Sequence, residues 1–268
     1  MPRIRYSASS TKSKFRGGIF NKKSISFPLV SGGTLHSDAT YYYRKFIVSD
    51  NLTVTGNLIA DILVIAGGGS GGSYGDTGGG GAGTISYSAL QNLSTGSYAC
   101  QVAAASGRAA RYDTLKQGNP SQFGSLASVI GGGQGYSNGY GGGNQTATRN
   151  GGTSNVGGGG AGASAVGKTG GSGTNAYSTW ATATSTGVGG YYAGGGSSSK
   201  SPSASSPGGL GGGGSGAAPT YYNNNSGGDA VANTGSGGGA GGTYYYNLGG
   251  NGAEGLIIVR YTREQVGG

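Results

Sequence analysis

The chain has 268 residues, of which 66 are glycine, and only 9% are charged; ordinary globular chains carry roughly 7% glycine and about 25% charged residues. Glycine costs about 0.5–1 kcal/mol at an interior helix or strand position, so the region from Gly67 onward, where nearly all the glycines lie, cannot be a helical or doubly wound scaffold. Six prolines without a Gly-X-Y period exclude collagen, and one cysteine (Cys100) with one histidine (His36) excludes an internal disulfide or a cysteine cage for a metal.

In chain order, the net charge of +9 is concentrated first. Arg3, Arg5, Lys12, Lys14, Arg16, Lys22 and Lys23 precede any acid, and the rest of the chain is nearly neutral. No basic-aromatic nucleic-acid module follows, so residues 1–33 read as a docking arm for an acidic protein surface, with no nucleic-acid partner. Residues 34–66 read as a base of strands. Tyr41-Tyr42-Tyr43-Arg44-Lys45-Phe46-Ile47-Val48 is aromatic and β-branched, Leu52-Thr53-Val54-Thr55 alternates, and 58–66 is a nearly unbroken apolar run. An alternating strand buries one face, whereas a continuous one is buried on both, so Ile62-Leu63-Val64-Ile65 is the expected central strand. The run is broken by Asp61 and is too short to span a bilayer; with no signal-like apolar core near the start, no membrane insertion is expected.

Residues 67–255 are a glycine-rich body with short insertions: Thr84-Ile85-Ser86-Tyr87, Tyr98-Ala99-Cys100-Gln101-Val102, residues 123–130 and Tyr244-Tyr245-Tyr246. The segment 256–268 closes the chain with Leu256-Ile257-Ile258-Val259-Arg260-Tyr261, a match in character for 62–65, and the two runs are expected to pair or neighbour. Glycine runs leave two outcomes open. They are flexible linkers, or they form extended threefold rods of polyproline II type, rising about 3.1 Å per residue, whose amides bond to neighbouring rods. Nineteen tyrosines and the aliphatic insertions are unlike a linker. The fold class expected is mainly β, with packed polyglycine-II-like segments and little or no helix.

Two nucleotide-like motifs lack their context. Gly67-Gly68-Gly69-Ser70-Gly71-Gly72 follows a strand, but Ser73-Tyr74-Gly75-Asp76-Thr77 and four more glycines follow it where a dinucleotide fold needs a helix. Gly162-Ala163-Ser164-Ala165-Val166-Gly167-Lys168-Thr169 fits the phosphate-loop spacing, yet glycine runs flank it on both sides. A serine triad has only His36 to recruit, and the acids of the body (Asp76, Asp113, Asp229, Glu254) are isolated in sequence. No enzyme activity, cofactor or metal is expected.

The tyrosines carry more information. Tyr136 and Tyr140, Tyr177 with Trp180, Tyr191 and Tyr192, and Tyr221 and Tyr222 beside Asn223, Asn224 and Asn225 lie among Gly, Ser and Asn, the composition of adaptable binding loops. They either recognise a ligand or cap the glycine slab, and one loop can do both.

The order of segments resembles the glycine-rich domain of bacteriophage tail fibres and adhesins: an aromatic strand, Leu52-Thr53-Val54-Thr55, an Asp61-Ile62-Leu63-Val64-Ile65-Ala66-Gly67-Gly68-Gly69 opening, Gly79-Gly80-Gly81-Ala82-Gly83, and a closing stretch from Gly249-Gly250-Asn251-Gly252 to Arg260-Tyr261. The resemblance spans about residues 34–261. It implies a packed polyglycine-II sandwich whose loops bind a host-surface glycan or outer-membrane protein. It also implies a location in the virion, in a tail or other appendage, with other virion proteins held by the N-terminal arm and with homo-oligomers, trimers foremost. A structural or decorating fibre without a receptor role is the alternative.

Overall fold

The computed structural model describes residues 26–73, 77–110, 116–135, 158–159, 163–199, 205–218, 225–242 and 247–268. Its strands are β1 (Leu29–Ser31), β2 (Thr34–Ser37), β3 (Tyr41–Phe46), β4 (Asp50–Thr55), β5 (Leu58–Ile65), β6 (Ile85–Leu93), β7 (Gly96–Gln101), β8 (Gln122–Phe123) and β9 (Leu256–Thr262), with a helix α1 (Ser178–Thr184) and a short 3-10 turn (Glu264–Val266). A four-stranded sheet runs β1-β4-β7-β8 and a five-stranded sheet runs β2-β3-β9-β5-β6, all neighbours antiparallel. The chain is mainly β, as its composition requires.

Side-chain periodicity explains the layering. Leu52 and Val54 of β4 point inward while Thr53 and Thr55 face out. They meet Phe46, Leu58, Ile62, Val64, Phe123, Ile257 and Val259 in a core between the two sheets. The alternate residues of β5 and β9, Leu63, Ile65, Leu256 and Ile258, pack on the opposite face against Trp180, Ala181 and Tyr192. Ile62 lies opposite Val259 and Leu63 opposite Ile258, so the two apolar runs pair directly and are buried on both faces. Gly32 and Gly33, at φ +98° and +56°, carry the chain from β1 in one sheet to β2 in the other, a left-handed turn that a side chain would strain.

One boundary differs from the sequence-based expectation, and two details fill it in. β1 lies inside the expected arm, because Val30 adds a strand against Val54. The insertion 123–130 takes part in β8 through Phe123 and in an isolated bridge through Val129, which pairs with Ser121. The little helix expected is α1: Ser-Thr-Trp-Ala-Thr-Ala-Thr has weak helix propensity, and tertiary contacts hold it instead. Trp180, Ala181 and Thr184 are buried, and Lys45 Nζ of β3 donates to the Thr184 carbonyl at 3.0 Å, satisfying a free C-terminal acceptor of the helix.

Beyond the sheets the strands continue as glycine rods: β5 runs on into 66–73, 77–84 enters β6, 247–255 enters β9, β7 leads to 103–110, and 116–121 leads to β8. Along the first of these, successive amides donate in rotation: Ala66 to Thr84, Gly67 to Asn119, Gly68 to Ala253, Gly69 to Gly81, Ser70 to Lys116, Gly71 to Gly250 and Gly72 to Gly78. The same neighbour returns every third residue, which is the signature of a threefold helix and therefore of polyglycine II. The rotation recurs along 237–242, whose amides reach Gly194, Gly69, Gly228, Ser197, Gly72 and Asn225 in turn.

The rods form a hexagonal array. Rod 66–73 is ringed by 77–84, 129–135, 116–121, 103–110, 247–255 and 234–242, each bonded to the next around the ring. Rods 192–199 and 234–242 are enclosed in the same way. Packed sheets normally stand about 10 Å apart because side chains fill the gap. Where the side chains vanish the two layers close onto each other, so rods from the four-stranded sheet bond directly to rods from the five-stranded one, as Gly67 does to Asn119. Peptide groups replace side chains as the interior. A methyl group at Gly69 would overlap the carbonyl oxygen of Gly133, and one at Gly80 that of Gly69.

The rods have a defined polarity. Those at 66–73, 103–110, 129–135, 192–199, 212–218 and 234–242 run away from the sheets; 77–84, 116–121, 168–174, 205–210, 225–230 and 247–255 return. At the opposite pole Phe27 lies against Gly267 and Pro28 against Gly56, so the described chain begins at the far end of the sandwich.

Candidate binding surfaces

The glycine array has a distal face, away from the sandwich. The outgoing rods end there at Ser73, Ala110, Gly135, Ser199, Ala218 and Gly242, and the returning rods begin there at Thr77, Lys116, Ser205, Asn225 and Asn247. Of the residues singled out from sequence, Tyr136, Tyr140, Tyr221, Tyr222, Asn223 and Asn224 lie outside the described residues, as do Arg3, Arg5, Lys12, Lys14, Arg16, Lys22 and Lys23. Asn225 opens a returning rod; its Nδ2 donates to the Ala218 carbonyl at 3.1 Å and its carbonyl accepts the Gly242 amide at 3.0 Å. Asn225 thereby clamps the ends of neighbouring rods.

The remaining aromatic candidates belong to a different place. Tyr177, Trp180, Tyr191 and Tyr192 sit near the sandwich, on the outer side of the five-stranded sheet. Trp180 is 3% exposed and Tyr192 is fully buried, so these two rings do not serve as receptor contacts and the packing role is the one they fill. The Tyr192 hydroxyl bonds to Thr186, and its main chain pairs with Thr174. Tyr191 is half-buried in a hairpin with Val188. Tyr177 is half-buried and packs on Tyr87 of β6, with ring centroids 5.8 Å apart.

Trp180 anchors a cluster on this face. Its ring meets Tyr43 at 5.9 Å and Tyr87 at 6.0 Å, both edge to face. The Arg260 guanidinium lies 4.4 Å from the Trp180 ring centre and 4.4 Å from that of Tyr41, a cation–π sandwich, and pairs with Asp61 at 2.6 Å. Asp61 also accepts the Leu90 amide at 3.0 Å. Register creates the row: His36 lies opposite Tyr43, Tyr43 opposite Arg260, and Arg260 opposite Asp61. The Tyr43 hydroxyl donates to Asp38 at 2.6 Å; burial, reinforced by that carboxylate, pushes Tyr43 up to about 12. Burial opposes ionisation of Asp38, but its bonds from Tyr43, Tyr41 and Thr40 outweigh it and hold the carboxyl below its usual range. His36 is depressed, first by burial and then by the Lys45 charge.

Sequence reasoning missed Tyr87, Asp61 and Arg260 as a unit. A signal was present: each apolar run carries one charge of opposite sign, and pairing the runs in register brings those charges together.

The nucleotide-like motifs are absorbed by the array. The amides of 67–72 that a pyrophosphate would need are donated to carbonyls of surrounding rods. Residues 163–169 form a turn closed by a bridge between Val166 and Thr169, and the Lys168 carbonyl accepts the Ser198 amide. No group of three or more His, Cys, Asp or Glu among the described residues could hold a metal ion, and among them no helix is long and apolar enough to cross a membrane.

Sandwich, continuous rods and closing strand define a glycine-rich β domain. The family model Gly_rich_2, described as a glycine-rich domain, matches residues 49–262, and the chain belongs to that family. Comparison with curated proteins and with solved structures gave no match.

Proposed function

We propose that the chain is a non-enzymatic virion protein of a tailed bacteriophage, a tail fibre or fibre-tip adhesin. Its distal segments would contact a host-surface glycan or outer-membrane protein, and its basic arm would dock on other virion proteins. The observation that carries this reading is the polarity of the molecule. The described rods that end on the distal face at Gly135, Ala218 and Gly242 each lead in sequence into a Tyr- and Asn-rich stretch (136–157, 219–224 and 243–246), and the described chain begins at the opposite pole. A rigid array that docks through its arm and presents polar-aromatic segments away from the sandwich would suit shallow contacts multiplied over several copies, with trimers the expected assembly.

The test is adsorption of virions carrying Tyr221, Tyr222, Asn223 and Asn224 replaced by Ser, with Asn225 kept because its side chain holds the Ala218 rod end. Adsorption to host cells is expected to fall at least about tenfold, the loss of ~1.4 kcal/mol of contact. Unchanged adsorption with the protein still in the particle would overturn the receptor role and leave a decorating fibre.

A further inference from the structure

We propose that Tyr87 and Tyr177 form a lateral platform for a neutral saccharide ring, separate from the distal face. Tyr87 stands on β6 opposite Leu63, on the outer side of the five-stranded sheet, and is 42% exposed although its ring is fixed on two sides. Tyr177 flanks it at 5.8 Å with a 44° tilt, and Trp180 supports it edge-on at 6.0 Å. Trp180 is itself held between Tyr43 and the Arg260 guanidinium, and Arg260 by Asp61. Two accessible rings are thus fixed by a strand, a helix and an ion pair rather than by a mobile loop. Little side-chain entropy is left to lose on binding.

The surroundings select the ligand class. A sugar presents an apolar C–H face to an aromatic ring and hydroxyls at its edge, and needs a shallow platform rather than a deep pocket. Asn175 and Thr179, both exposed, flank Tyr177 in sequence and offer uncharged hydrogen-bonding groups. The charges beneath neutralise each other: Asp61 Oδ2 accepts from Arg260 and Oδ1 from the Leu90 amide, while Arg260 Nε, which has no partner, is buried out of a ligand's reach. No unmatched charge in this pair is left for an ionic ligand, so a neutral ring fits and an acidic one gains nothing.

The full chain would be run in native affinity gels containing dextran, galactomannan or soluble starch, at ionic strength high enough to screen the basic residues near the start. Retardation by at least one polymer is expected. Tyr87→Ser and Tyr177→Ser would each weaken it about tenfold, equal to ~1.4 kcal/mol; Tyr87→Phe would retain it, and Val188→Ser, also exposed near the sandwich, would leave it unchanged. Loss of retardation in Tyr87→Phe would point to a folding defect in that series, and Tyr177→Ser alone then decides. The proposal is overturned if none of the polymers retards the protein, or if both serine variants bind as wild type. It is equally overturned if Tyr87→Ser changes the sedimenting mass instead, which would make this face a self-association surface. The distal reading is untouched by either result, because the serine replacements at 221–224 leave Tyr87 in place.

Discussion

At the scale of single residues, identity follows from what a side chain would meet. A methyl group on Gly69 would overlap a carbonyl of a neighbouring rod, and that rod is held on its other sides by further rods. Gly69→Ala is therefore expected to lower stability by at least about 1–3 kcal/mol, the usual cost of overpacking, read from the urea midpoint. Gly96 in β7 is the contrast: nothing stands closer than 3.9 Å to the same methyl position, so Gly96→Ala should be neutral or gain about 0.4–1 kcal/mol. Cys100 is 1% exposed, and burial pushes its thiol up to about 12. It should resist alkylation at neutral pH and react once urea unfolds the chain. Tyr43 and Cys100 have folded values above their ordinary 10.0 and 9.0, so the stability they contribute is complete below those values and is lost as pH rises toward about 12. The urea midpoint should fall over that window, and Tyr43→Phe should flatten the part above pH 10, since it removes the ionisation.

Elements show why some of the fold was legible and some was not. The continuous apolar runs of β5 and β9 announced two-sided burial, and their similarity announced their pairing; both follow from local composition. The glycine runs announced rods only once packing between rods was allowed, because nothing within one run distinguishes a rod from a linker. The helix α1 gave no local signal: its stability comes from Trp180 beneath it and Lys45 at its end, contacts made by residues far away in sequence. Nothing in the sequence around Trp180 and Tyr192 decides between recognition and capping, because what buries them, Tyr43, Leu63 and Ile258, lies far away in the chain. The candidate site was least legible, since Tyr87, Asp61 and Arg260 converge through sheet register and Tyr177 joins them through the packing of α1 on the sheet. The ion pair beneath them makes a prediction at this scale. Asp61 and Arg260 are 14% and 18% exposed, so Asp61→Asn would leave a largely buried cation unmatched and cost about 2–4 kcal/mol. Replacing both by Leu should cost less than the single change, and a double-mutant cycle in urea checks the sign.

For the whole molecule, a hexagonal array predicts graded protection. Amides of 66–73, 192–199 and 234–242 are ringed on all sides, whereas 103–110 and 205–210 lie at the rim. Hydrogen exchange should be slowest in the enclosed rods and in β5 and β9, and faster at the rim by more than tenfold, a local opening difference of about 1.4 kcal/mol or more. Uniformly fast exchange beyond Ala66 would contradict the array.

The position of β9 also governs when this protein can come into being. Its residues lie between β3 and β5, and the rod that precedes it helps to enclose 66–73. A nascent chain still on the ribosome therefore holds β5 and β3 with no strand between them until residues 247–262 have been synthesised. Through most of translation the facing edges of β3 and β5 stay unpaired, and closure depends on contacts between residues some two hundred positions apart. Chains released early would be targets for chaperones and proteases rather than short but serviceable versions of the protein.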